Sequence, residues 1–274
     1  MYITTMLKRS LTGAVVTLAV YLILYFSYVP GLLAAAAGLL TALAVAEIYG
    51  AAGERHPVGL PCAMLAAMAV VMLPFPGYET VLIVVFPLAV IVFGWMMLRQ
   101  EQVHLDSVWS VSLVALVTTF LFKAVPRLRR IPDGLLYLTA AVTLCFLTDV
   151  AAYLVGSRFG KHKLMPKVSP NKTVEGSVAG MVASMLGMLV LGAALSGWDG
   201  YQVNYWLLAL YGLLASVVAQ FGDLCMSVVK RVWGVKDFGK ILPGHGGMLD
   251  RFDSHLFCVA FTLLFCTLTG GFLR

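Results

Sequence analysis

The sequence predicts an all-α, polytopic integral membrane protein, and three observations carry that prediction. Hydrophobic residues make up 61% of the 274 and charged residues only 12%, where soluble domains run about 45–50% apolar and about 25% charged. The mean hydropathy is +0.92. The apolar residues fall in runs of about 20, the length an α-helix needs to cross hydrocarbon. A soluble fold this apolar would have nowhere to put its surface, and a bilayer supplies the solvent that accepts it.

About nine candidate spans follow in order: Ser10–Tyr28, Gly31–Gly50, Val58–Phe75, Glu79–Leu98, Val108–Val125, Leu135–Gly156, Val174–Leu195, Asn204–Val229 and Ser254–Phe272. The third is the weakest, because Pro57, Pro61 and Pro74 crowd it. The first follows Lys8 and Arg9 and is longer than a signal-peptide core, so it is expected to stay as a helix. Cys62, Cys145, Cys225, Cys258 and Cys266 sit in or beside apolar runs with no CxxC pair, and read as small buried hydrophobes. The chain holds 19 Lys+Arg against 13 Asp+Glu. That excess fits cytoplasmic loops or an anionic substrate, and no nucleic-acid partner is expected. With the N-terminus inside, most basic residues fall on the cytoplasmic side. Lys123, Arg127, Arg129 and Arg130 do not, which requires either a different helix count upstream or an interfacial loop there.

Acidic residues divide the chain. Asp149, Glu175, Asp223, Asp237, Asp250 and Asp253 lie in the last four spans and their two polar loops, while Glu47 and Glu79 stand near helix ends in an otherwise apolar first half. Residues 1–125 are therefore expected to be a scaffold of about five helices, and residues 126–274 the catalytic region. Asp149 lies inside a span, where a carboxylate costs about 2.5–3.5 kcal/mol on insertion scales, so it should face a partner helix or a polar cavity. Asp223, Ser227, Lys230 and Arg231 form one helical stripe. It suits either snorkelling base with a paired acid or an anion site. Asp250 and Asp253 share a face where the last helix begins. Helix dipole and capping explain one such acid but not the His245-Gly246-Gly247 run before them, whose glycines let a backbone approach a ligand.

The loop from Arg158 to Gly176 is basic and ends in SPNKTVEG. Positive-inside charge accounts for part of it. Ser169, Asn171, Lys172 and Thr173 are also suited to hold phosphate oxygens at a helix N-terminus, with Thr173 as the cap. Gly176, Gly180 and Ser184 make a small-residue face suited to close helix packing. Carboxylates without a Cys/His cluster suit a hard cation such as Mg²⁺, which keeps water and substrate phosphate in its shell. Together the residues describe phosphoryl or nucleotidyl transfer on a lipid. A transporter with intramembrane acids is the reading from another class.

The C-terminal half resembles the phosphatidate cytidylyltransferase (CDP-diacylglycerol synthase) family. Its signature, S-x-x-K-R-x4-K-D followed by H-G-G-x-x-D-R-x-D, is matched in register by Ser227, Lys230, Arg231, Lys236, Asp237, Gly239, His245, Gly246, Gly247, Asp250, Arg251 and Asp253. Gly222-Asp223-Leu224 and SPNKTVEG are also similar to the family. Met226 stands where many relatives carry an acid, and Asn171 where many carry Lys. A CDP-alcohol phosphotransferase, which would act on the product instead, would show D-G-x2-A-R-x8-G-x3-D-x3-D, which does not occur.

The resemblance implies that CTP and phosphatidate give CDP-diacylglycerol and pyrophosphate, with Mg²⁺ and with K⁺ as a second cation. It implies a homodimer in the bacterial inner membrane with a site facing the cytoplasm. On that basis Asp223 and Asp250 are expected to bind the metal, with Asp253 as a third ligand or directly behind them. Lys172, Ser169 and Thr173 are expected on the CTP phosphates, helped by Asn171, Ser227, Gly246 and Gly247. Lys230, Arg231, Lys236 and Arg251 would neutralise phosphatidate and pyrophosphate. His245 would donate to the leaving group, and Asp149 and Asp237 would give support.

Overall fold

The computed structural model describes residues 2–53, 59–72, 107–197, 201–242 and 246–273. The expected span Glu79–Leu98 and the residue His245 lie outside these. The described elements are α1 (Tyr2–Tyr25), α2 (Leu32–Ala51), α3 (Gly59–Met72), α4 (Ser107–Arg130), α5 (Gly134–Phe159), β1 (Lys163–Met165), β2 (Ser169–Thr173), α6 (Val174–Ser196), α7 (Tyr205–Val232) and α8 (Leu249–Thr269). Among the described residues six helices are long and apolar enough to cross a membrane: α2, α4, α5, α6, α7 and α8. The protein is an all-α polytopic membrane protein, as its composition requires. Helical backbone satisfies its own polar groups, which hydrocarbon cannot do. Threonines inside these helices follow the same rule: Thr41, Thr119, Thr139, Thr148, Thr262 and Thr267 each donate to the carbonyl four residues back.

Two boundaries differ from the sequence reading in ways that matter. KAVPRLRR is neither loop nor linker, because α4 runs on through Pro126 to Arg130. Proline removes one backbone donor, a loss that membrane helices tolerate where neighbours compensate. Lys123 is buried and donates to the Val70 carbonyl at 2.7 Å, which gives that charge a partner inside the protein. The basic segment 161–173 is not irregular either. It holds an antiparallel hairpin in which Lys163 pairs with Thr173 and Met165 with Ser169.

The chain forms two compact units. One comprises residues 1–127 and 228–253, the other residues 128–227 and 254–274. Within the first, α2 packs on α3, with Gly38 facing Met68 and Met72. Within the second, α5 packs on α6 through the small-residue face. A Cβ at Gly176 would lie 2.6 Å from the Ala152 carbonyl oxygen, and one at Gly180 3.0 Å from that of Thr148. Ser184 and the Thr148 hydroxyl are 2.6 Å apart at the same seam. The buried cores of α7 and α8 meet at Tyr211, whose hydroxyl lies 2.8 Å from Thr262, and at Gly222, which lies against Phe257. Cys145, Cys225, Cys258 and Cys266 are buried and free of disulfides.

Candidate active site

Thr173 organises the first cluster of functional residues. It is the last residue of β2 and the N-cap of α6, and its side chain accepts from the Gly176 amide at 3.2 Å. Glu175, in the first turn of α6, accepts from the Lys161 and His162 amides and from the His162 ring at 2.7 Å. One helix N-terminus thereby ties down both arms of a hairpin that carries Lys163, Asn171 and Lys172. Gly156 and Gly160 of the preceding segment lie close against Thr173, where a Cβ would crowd its hydroxyl.

Behind the hairpin lies a cavity of about 570 Å³. Asp149, Tyr153 and Gly156 of α5 line it, as do Lys163, Asn171, Lys172 and Thr173 of the hairpin, Ser177 of α6 and Gln220 of α7. Lys172 forms a salt bridge with Asp223, one turn beyond Gln220, and both side chains remain partly exposed. The sequence-predicted residues Asp149, Asn171, Lys172, Thr173 and Asp223 are thus brought together in this unit. Asp149 lines this cavity from α5. Ser169 lies at the start of β2, paired with Met165 rather than among the lining residues. Ser227 is buried on α7.

The second cluster belongs to the other unit, and Asp250 is its centre. Its Oδ1 accepts from Lys230 Nζ at 2.8 Å, and its Oδ2 accepts from the Phe238 and Gly247 amides, both at 2.9 Å. Lys230 also lies 3.9 Å from Asp253 and 5.4 Å from the centre of the Phe238 ring. The side chains of Lys230 and Asp250 are 9% and 2% exposed, so this is a buried charge pair in which two backbone amides meet Asp250 Oδ2. Arg231 turns to the Val235 carbonyl at 3.1 Å and stays exposed, as do Lys236, Asp237 and Arg251. Gly246 takes φ +82°, a conformation open to glycine, and sits beside Asp237.

The sequence places Glu47 in the scaffold, and the structure gives it a further part. It is buried in α2 and accepts from the Met248 and Leu249 amides, both at 2.8 Å. It thus caps α8 from a distant part of the chain. A Cβ at Gly247 would fall 2.7 Å from both Glu47 carboxylate oxygens, and one at Gly239 would overlap them. Two glycines of the polar run are therefore small because Glu47 occupies that space. An acid near the end of an apolar helix was the available signal, but its partner lies some two hundred residues away.

The described residues make a multi-span helical membrane protein with a lysine-bearing cavity behind a helix N-terminus and carboxylates paired with lysines. The chain belongs to the cytidylyltransferase family, whose model matches residues 7–269. It is 38% identical over 197 residues to the phosphatidate cytidylyltransferase of Staphylococcus epidermidis, covering 70% of this chain and 73% of that one. It is 47% identical over 125 residues to the proteins of the same name from Staphylococcus haemolyticus and Staphylococcus aureus. Those matches span 46% of this chain and of each relative, so the chain covers about half the length of these relatives.

Proposed function

We propose that this protein is a phosphatidate cytidylyltransferase: it transfers the cytidylyl group of CTP to phosphatidate and releases pyrophosphate. The observation that carries this reading is the cavity of about 570 Å³ lined by Lys163, Asn171, Lys172 and Thr173 behind the N-terminus of α6, in a chain of the cytidylyltransferase family. Helix N-termini and lysines attract phosphate oxygens.

In the proposed reaction a phosphate oxygen of phosphatidate attacks the α-phosphorus of CTP. The bond from that phosphorus to the bridging oxygen of the β-phosphate breaks, and pyrophosphate carries the electron pair away. A phosphomonoester has a second pKa near 6, so the nucleophile is largely dianionic at neutral pH and needs no general base. The barrier is the approach of two polyanions, which positioning and charge neutralisation lower. Lys172, with Asn171 and Thr173, holds the nucleotide phosphates, while Ser169, expected beside them, lies outside the lining. Lys230, Arg231, Lys236 and Arg251 balance charge on the lipid phosphate and pyrophosphate, and His245 donates to the leaving group.

The carboxylates fit a hard cation. Asp223 is partly exposed and balanced by a lysine. Asp250 has spent Oδ2 on two amides but gives Oδ1 a single donor. Among the described residues no three His, Cys, Asp or Glu gather at one point. Mg²⁺ takes one or two carboxylates and fills its shell with water and substrate. Asp223 and Asp250, with Asp253, are the proposed Mg²⁺ ligands, and K⁺ is proposed as a second cation. When bound, Mg²⁺ supplies charge stabilisation to phosphoryl oxygens. A homodimer in the bacterial inner membrane, with the hairpin facing the cytoplasm, completes the proposal; the basic hairpin supports that orientation.

The test is Mg²⁺-dependent release of pyrophosphate from CTP on addition of phosphatidate to the purified chain. Release that does not depend on phosphatidate, or none at all, would overturn the reading.

A further inference from the structure

The amide of Gln220 has a fixed orientation. Its nitrogen donates to the Ser177 carbonyl and to the Ser216 hydroxyl, both at 3.3 Å. A carbonyl oxygen can only accept, so the nitrogen must be the atom on that side. Ser216 is itself fully buried and held by the Thr148 hydroxyl at 3.2 Å, which also meets Ser184. This network joins α5, α6 and α7 and locks the Gln220 amide at its edge. Gln220 lines the cavity, and its locked nitrogen leaves Oε1, a pure acceptor, as the group available to a ligand.

The cavity is polarised along its length. Its cationic wall is the hairpin with Lys163 and Lys172. Gly156 of α5 lies against Thr173 at that level, and Asp149 is seven residues earlier on the same helix, about 10 Å deeper. Gln220 is tied to Ser177, one helical turn below the Thr173 cap, or about 6 Å in. A polyphosphate belongs at the lysine end, beside the N-terminus of α6. The uncharged end of a nucleotide is then the part that reaches Gln220.

Resting on the cytidylyl-transfer reading, we infer that Gln220 Oε1 accepts a hydrogen bond from the exocyclic amine of cytosine and so selects CTP over UTP. Cytosine presents an N–H donor at that position, whereas uracil presents a carbonyl acceptor that would face Oε1 with no proton between them. An acceptor that cannot turn rejects the wrong base because the mismatch leaves two desolvated oxygens opposed. The serines behind the amide are the reason it cannot turn.

The experiment measures kcat/KM for CTP and for UTP with phosphatidate in mixed micelles, using the full chain. Wild-type protein is expected to prefer CTP by about 100-fold or more. Gln220→Leu is expected to shrink that ratio by about tenfold, with the KM for phosphatidate unchanged. Ser216→Ala removes one anchor and only one oxygen atom, and should shrink the ratio by roughly threefold. Equal losses on both nucleotides, with the ratio kept, would overturn the assignment. Should Gln220→Leu fail to insert, Ser216→Ala decides in the same way. Wild-type protein that uses neither nucleotide would defeat the cytidylyl-transfer reading itself. Wild-type preference for CTP that survives both variants would defeat the Gln220 assignment alone.

Discussion

Replacing Glu47 with Ala removes two hydrogen bonds of 2.8 Å that a buried carboxylate accepts from the Met248 and Leu249 amides. Hydrogen bonds to charged groups contribute about 1.5–3 kcal/mol each, so the pair is worth about 3–6 kcal/mol to the turn that precedes α8. The two amides are left without their acceptor at a helix start, where the dipole also favoured the negative charge. If half of that energy reaches the geometry of Asp250 and Gly247, turnover should fall roughly 10- to 150-fold, since each 1.36 kcal/mol is a factor of ten. Glu47→Gln keeps one acceptor oxygen and should lose roughly tenfold. The assay is pyrophosphate release from CTP with kcat and KM resolved, paired with amide hydrogen exchange at Met248 and Leu249. Exchange should accelerate in step with the lost turnover. Wild-type turnover in Glu47→Ala, together with unchanged exchange at both amides, would refute the reasoning.

Three other outcomes are expected. Asp223→Asn and Asp250→Asn should each abolish CTP turnover while the protein still inserts, whereas Asp237→Asn, an exposed position, should be milder; full activity at ordinary Mg²⁺ in either of the first two would refute their place as metal ligands. Lys230→Met leaves Asp250, 2% exposed, without its counter-ion and should cost about 3–5 kcal/mol of stability, read as a lower thermal midpoint in detergent. Thr173→Ala removes the cap on the Gly176 amide and should cost about 1 kcal/mol, with looser hairpin protection against protease.

Much of the fold was legible because its signals are local. Apolar runs of helical length mark α2, α5, α6 and α7 to within a few residues. The Thr173 cap and the Gly176, Gly180 and Ser184 face were readable because both follow from short-range geometry, capping within three residues and a small side chain every fourth. The hairpin was not legible, since three residues of β1 are too few to display alternation. Nor was the helical path through Pro126, where local propensity argues for a stop and neighbouring helices decide otherwise.

The candidate site divides in the same way. Residue identity singled out Lys172, Asp223, Lys230 and Asp250 as candidates, because charge in an apolar chain is costly and must be used or paired, and the resemblance proposed their roles. The sequence by itself thus determined that this is a membrane protein, which half bears the charges, and which family its signature resembles. Only the tertiary structure decided which charges meet. It pairs Lys172 with Asp223 and Lys230 with Asp250, sets Glu47 on the amides of Met248 and Leu249, and ties the Gln220 amide nitrogen to Ser177 and Ser216. Hydrogen bonds and ion pairs act over about 3 Å in space, whatever the distance along the chain, so no periodicity or spacing could have announced these partners.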